Sequence, residues 1–307
     1  MKVRTICPGS EEWSPRLEEI GPYPTPRRLY AAGAPLDPGQ RAIAVVGTRR
    51  PTAAGVDAAQ RIAAGLAANG VVVVSGLAVG IDAAAHRAAL AAGGATAAVL
   101  GCGLDVRYPA RNAGLKADIE RQGTLLSEYP AGTQPDKFRF PERNRIIAGL
   151  CHGVVAVEGL VTSGALLTAR IALDANRAVF AVPGSVRNVM AEGPNLLIKR
   201  CEAALVTSAE DVLDEMSWPV VEAGTGAQDD LPDLVPDQIA VLAVLDDRPL
   251  HPEDLAEMAG LTDGDFLRAV THLEGWGLAH RTMGGCQITR QGSDVRASLA
   301  AAGALEG

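Results

Sequence analysis

The chain has 307 residues, 48% hydrophobic and only 4% aromatic, so about two domains' worth of core must be packed with Ala, Val, Leu and Ile rather than rings. The formal net charge of −8 is unevenly spread: residues 41–218 hold 18 basic and 16 acidic side chains, and residues 219–307 hold 5 and 15. That split argues against the C-terminal part as a polyanion-binding face and leaves residues 41–218 open to one. Five scattered Cys (Cys7, Cys102, Cys151, Cys201, Cys286) include no C-x-x-C, which argues for reduced thiols and against structural zinc. There is no basic-then-apolar leader and no uncharged apolar run of about 18 residues, so a cytoplasmic protein with no membrane partner is expected.

Residues 1–40, with Pro22, Pro24, Pro26, Pro35 and Pro38, read as a short lead-in with one helical turn near Trp13–Ile20. From residue 41 short apolar runs alternate with Ala-rich segments. Ala42–Gly47, Val71–Ser75, Ala95–Leu100, Thr124–Leu126, Val154–Val157 and Ala178–Val182 are predicted strands. Ala53–Asn69, Ile81–Ala92, Asn112–Gln122, Arg143–Leu150 and Ala165–Asn176 are the predicted helices between them, with a later helix after Gly193-Pro194. Continuous apolar strands are buried on both faces, so the pattern predicts an α/β fold: an extended Rossmann-like parallel sheet between helix layers over 41–218. Residues 219–235 have linker composition. Residues 236–307 follow as three helical patterns (Asp237–Leu245, Pro252–Ala259, Asp263–Gly275) and a hairpin (Ala279–Thr282, Cys286–Thr289) turning at Gly284-Gly285. That is the pattern of a small winged-helix domain. Thr262 before Asp265 predicts a cap on its third helix.

In an open parallel sheet ligands sit beyond the carboxyl ends of the strands. After the first predicted strand, Gly47-Thr48-Arg49-Arg50 is either an anion-binding turn ahead of a helix N-terminus or an ordinary turn with exposed arginines. After the second, Asp82 and His86 stand four apart on a helix and can form a catalytic dyad or a loop-fixing pair. After the third, Gly101-Cys102-Gly103 lacks the remainder of a dinucleotide fingerprint, so no cofactor is expected. The segment Pro135–Arg145 interleaves Lys137, Arg139, Arg143 and Arg145 with Phe138 and Phe140, which suits stacked bases and phosphates; alternatively one ring is core and the charges are solvated. Thr162-Ser163-Gly164 opens another helix beside Glu158, which is either a general base or a capping carboxylate. No metal spacing and no G-x-S-x-G elbow is present.

These stretches, together with Leu100–Pro109, Asn112, Ser127–Pro130, Phe140–Ile147, Ser163–Arg170 and Val182–Gly184, closely resemble the DprA/Smf family of DNA-processing proteins over about residues 41–206. The resemblance implies a protein without catalytic activity. It would bind single-stranded DNA without regard to sequence, protect incoming DNA, dimerise through the Rossmann-like domain and load RecA recombinase in natural transformation. Carried onto this chain, Arg49, Lys137, Phe140, Asn144, Ser163 and Gly164 form the DNA pocket, with Phe140 stacking on a base. Arg50, Arg143 and Arg145 join them from the motif reading, and Lys199 and Arg200 are candidate flanking contacts. Cys201-Glu202 replaces the family's usual Gly-Ala, a departure confined to a local turn. The runner-up is a phosphoribohydrolase-like enzyme with Glu158 as acid or base, although the glycine-dense run of such enzymes is missing. A nucleotide-sensing adaptor is a third alternative.

Overall fold

Ala42–Val46 has no polar side, so its two faces must enter two different layers. Ala42, Ala44 and Val46 lie in one core, and Ile43 and Val45 in the other. The computed structural model describes residues 2–220, 234–246, 248–282 and 285–301. They belong to two compact units, 1–221 and 222–307.

The first unit contains strands β1 (Arg4–Ile6), β2 (Leu29–Gly33), β3 (Ala42–Val46), β4 (Val72–Ser75), β5 (Thr96–Leu100), β6 (Thr124–Ser127), β7 (Gly153–Ala156), β8 (Ala178–Ala181) and β9 (Ala204–Leu205). Its helices are α1 (Ala53–Ala68), α2 (Ile81–Ala91), α3 (Ala113–Gln122), α4 (Arg139–Leu150), α5 (Gly164–Asp174), α6 (Glu192–Lys199) and α7 (Ala209–Glu215). The described strands run in the order β1-β2-β6-β5-β4-β3-β7-β8-β9. All pairs from β6 to β9 are parallel, with Ile43 opposite Val73 and Val46 opposite Ala156. The chain steps outward from β3 to β6, then returns to the other side of β3 at β7. That reversal is the switch point at which a crevice opens beyond the carboxyl ends.

Residues 1–40 are not a lead-in to this sheet but its edge. β1 pairs antiparallel with β2, and β2 antiparallel with β6. Arg4 holds the arrangement, donating to Glu12 at 2.9 Å and to the Gly33 carbonyl at 2.8 Å. The helical turn forms at Pro15–Glu18 and seats Leu17 and Ile20 against Gly149 of α4, where a Cβ would stand 2.5 Å from Ile20 Cγ2.

The second unit contains α8 (Pro236–Val244), α9 (Pro252–Met258), α10 (Asp263–Gly275), β10 (Ala279–Thr282), β11 (Gly285–Ile288) and α11 (Arg290–Ala301). Leu242, Leu255, Phe266, Val270, Leu273 and Ile288 lie in its core. Thr262 caps α10, its Oγ1 accepting from the Asp265 amide at 3.3 Å. Leu250 pairs with Cys286 in an isolated antiparallel bridge beside the two-stranded hairpin. This is the winged-helix arrangement, extended by α11. Most of the predicted linker (221–233) and part of the hairpin turn (283–284) lie outside the described residues.

Candidate functional site

An open cleft of about 890 Å³ lies beyond the carboxyl ends of β3, β4 and β7. Its exposed cations come from two loops: Arg49 and Arg50 directly after β3, and Lys137 ahead of α4. All three are exposed, and among the described residues none makes an ion pair. Phe140 lines the same cleft. Its ring stacks on Tyr108 with centroids 5.4 Å apart, and the Arg49 guanidinium lies 5.4 Å from its centroid. Neither Phe is core: Phe140 is half-buried and Phe138 is 66% exposed. Tyr108 is a site residue that the motifs do not single out; the Tyr-Pro pair after the third predicted strand is its only signal.

On the far wall α5 presents its N-terminus. Ser163 is the N-cap, its side chain accepting from the Leu166 amide at 3.3 Å. Asn144 fixes the first turn by donating to the Gly164 carbonyl at 3.2 Å. A Cβ on Gly164 would meet only Asn144 Nδ2, at 4.0 Å, so glycine leaves this helix end bare to an anion.

The N-terminus of α1 differs. Glu158 accepts from the Thr52 amide at 2.9 Å, from Thr52 Oγ1 at 2.7 Å and from Asn188 Nδ2 at 2.9 Å. Gly55 makes room for it, since a Cβ there would fall 2.4 Å from the Glu158 carboxyl carbon. The acid that the enzyme reading needs is therefore a buried cap. Glu158→Ala is expected to cost about 2–3 kcal/mol in a denaturant melt, from the lost cap and the stranded donors. An unchanged midpoint, together with loss of a nucleotide-cleaving activity, would return Glu158 to a catalytic role.

Four predicted contacts are not among the exposed cations of the cleft. Arg143 borders the cleft floor but is 6% exposed. It donates from Nη1 to the carbonyls of Gly76 (2.9 Å) and Val99, pinning the β4–α2 loop from beneath. Asp82 accepts from the Gly76 and Ala78 amides of that loop at 3.1 and 3.3 Å. Arg145 is on another face of α4, bound by Nη2 to both carboxylate oxygens of Glu128 at 2.7 and 2.8 Å and by Nε to the Pro24 carbonyl at 2.8 Å. It holds the N-terminal segment and does not line the cleft. Lys199 and Arg200, at the end of α6, do not line it either, and Arg200 lies 3.9 Å from Glu202.

Asp82 and His86 do not pair. His86 Nδ1 meets Thr96 Oγ1 at 2.7 Å, and that hydroxyl donates to the Val73 carbonyl at 2.7 Å. The ring is fully buried, and burial together with the charges of Arg143 and Arg87 pushes its pKa down to about 3. The unfolded chain thus takes up a proton near pH 6.5 that the folded chain refuses. His86 contributes stability above that pH, and the contribution is lost as pH falls toward 3. Between pH 6.5 and 5 the wild type should lose about 2 kcal/mol more than His86→Gln. Parallel pH profiles in urea melts would contradict this.

The fold and cleft define the class: a Rossmann-like α/β protein with a cationic, ring-bearing cleft at the switch point of its sheet and a winged helix following in the chain. Residues 4–217 match the sequence model of DNA recombination-mediator protein A, and residues 225–285 that of the DprA winged helix domain. The chain belongs to the DNA recombination-mediator protein A family. It is 42% identical over 216 residues to DNA processing protein DprA of Bacillus subtilis, covering 70% of this chain and 71% of that one. Among solved structures it is similar to DNA processing protein A from Streptococcus pneumoniae (TM-score 0.65, 43% identity, 70% of this chain and 75% of that one). It is also similar to DNA processing protein A from Helicobacter pylori, whose structure concerns its single-stranded DNA binding mode (TM-score 0.62, 27% identity, 71% and 96%).

Proposed function

We propose that the cleft binds single-stranded DNA without regard to sequence. The observation that carries this reading is the coincidence, in one cleft, of three unpaired cations, an accessible ring at Phe140 and the bare N-terminus of α5. Phosphates pair with Arg49, Arg50 and Lys137 and with the α5 amides, while bases stack on the ring. Nothing in this set reads base edges. The similarity to the Helicobacter pylori protein supports the same ligand.

The finer role is to protect incoming single strands and hand them to RecA recombinase in natural transformation, in the cytoplasm, as a homodimer through the Rossmann-like unit. In the two-residue strand β9, Leu205 is 51% exposed, an apolar side chain that a second copy would cover. The winged helix, with its acidic composition, contacts protein rather than DNA. A chain ending at residue 218 is expected to keep single-strand affinity within about threefold, since it retains every cation of the cleft. Loss of binding in a folded truncation would move the DNA site to the second unit. For the handover, the protein should shorten the lag of recombinase filament growth on single strands already coated by a single-strand-binding protein. An unchanged lag would remove recombinase loading from the account.

A further inference from the structure

Phe138 stands two residues before the cleft-lining Phe140 and leaves 66% of its surface exposed, with the Lys137 ammonium 5.0 Å from its ring centroid. It is not among the cleft-lining residues, so it stands at the lip. On the adjoining wall, cleft-lining Tyr108 is flanked by two exposed arginines. Arg107 precedes it, and Arg111 lies in the short 3-10 turn Ala110–Asn112. Among the described residues neither arginine side chain makes a hydrogen bond or an ion pair. Consecutive Cα atoms are about 3.8 Å apart and a 3-10 turn rises about 2.0 Å per residue, so both arginines stand close along the chain to Tyr108 on the cleft wall.

Their neighbours are already committed. Arg139 donates to the Gln134 carbonyl and lies over the Tyr129 ring, and Arg121 pairs with Asp118. The local carboxylates are turned onto backbone: Asp105 accepts from the Gly132 amide at 2.8 Å, and Asp136 from the Phe138 amide at 3.1 Å. The lip therefore offers an open ring and two uncommitted cations. They follow the strand order: Arg49 and Arg50 after β3, Arg107 and Arg111 after β5, and Phe138 after β6. Adjacent strands are about 4.8 Å apart, so these positions span roughly 14 Å along the carboxyl edge.

We propose that a single strand held in the cleft continues across the carboxyl edge toward β6. Phe138 stacks a further base, and Arg107 and Arg111 pair with phosphates of that outer segment. This rests on the single-strand reading of the cleft. The occupant is nucleic acid, because the lip combines a ring with unpaired cations and continues a cleft of the same chemistry.

The test uses the full chain and labelled oligodeoxythymidines of about six and about twenty nucleotides. Phe138→Ala, and separately Arg107→Ala with Arg111→Ala, should each weaken the long oligonucleotide by about tenfold. Both should leave the short one as in wild type. In the arginine variant the slope of log affinity against log salt should fall by about 1.4, at about 0.7 for each phosphate no longer neutralised. All substituted side chains are exposed, and equal melting temperatures would confirm the fold. Wild-type affinity for the long oligonucleotide in both variants would overturn the outer path while leaving the cleft reading intact. An equal loss on both lengths would also overturn it, by placing these residues inside the cleft. A wild-type protein that binds neither oligonucleotide would overturn the cleft reading and this inference with it.

Discussion

Arg143→Ala is expected to destabilise the first unit by about 3–5 kcal/mol, the scale of leaving a buried charge network without one partner. The guanidinium is almost fully enclosed and supplies the donors for Gly76 and Val99. Without it those carbonyls lose their partner, and the Asp82 carboxyl loses the cation that opposes its desolvation. Burial already pushes that carboxyl upward, so it would be driven to hold a proton. Gly76 sits against the guanidinium, with a Cβ position 2.6 Å from Nη2, so glycine is the residue that lets the loop close over the arginine. The measurement is the urea midpoint, with DNA binding followed in parallel. A variant as stable as wild type but deficient in binding would reverse the assignment and make Arg143 a direct DNA contact.

Arg49→Ala and Lys137→Ala should give the opposite pattern. Both side chains are exposed and free of ion pairs among the described residues, so stability should move by less than about 0.5 kcal/mol. Single-strand affinity should fall by roughly tenfold for each, about 1.4 kcal/mol. The salt slope should shrink by about 0.7 per residue, because each substitution leaves one phosphate without its cation. Arg49 should show the larger effect, since its guanidinium also lies over the Phe140 ring. Either variant binding like wild type would take that residue out of the site. The two predictions separate a residue that builds the cleft from residues that use it.

The central sheet is legible in the sequence because β3 to β8 are apolar on both faces and alternate with helices of regular length. β1 and β2 are not. They are three and five residues long within a Pro- and Gly-rich stretch, and the pairing of β2 with β6 is a long-range fact that local pattern does not carry. α7 does carry a local signal, the capping box of Ser208 and Asp211, but its seven residues are too few to stand out by periodicity. Most of the cleft can be read from motifs, but Arg143 and Arg145 cannot be told from true contacts. The reason is a boundary: α4 begins at Arg139, four residues before the predicted start. Once the helix includes Phe140, its period aligns Phe140, Asn144 and Ile147 on the cleft side and turns Arg145 away toward Glu128. With residues 139–142 read as an irregular loop, Phe140 has no facing against which Arg143 and Arg145 can be placed.

The central claim is single-strand binding in the cleft. Its most direct test is an anisotropy titration of one labelled single strand and its duplex at about 50 and 200 mM salt. The account predicts single-strand binding that weakens steeply between the two salts, with the duplex bound at least about tenfold more weakly, because a cleft that works by stacking needs unpaired bases. No single-strand binding at the lower salt would contradict it.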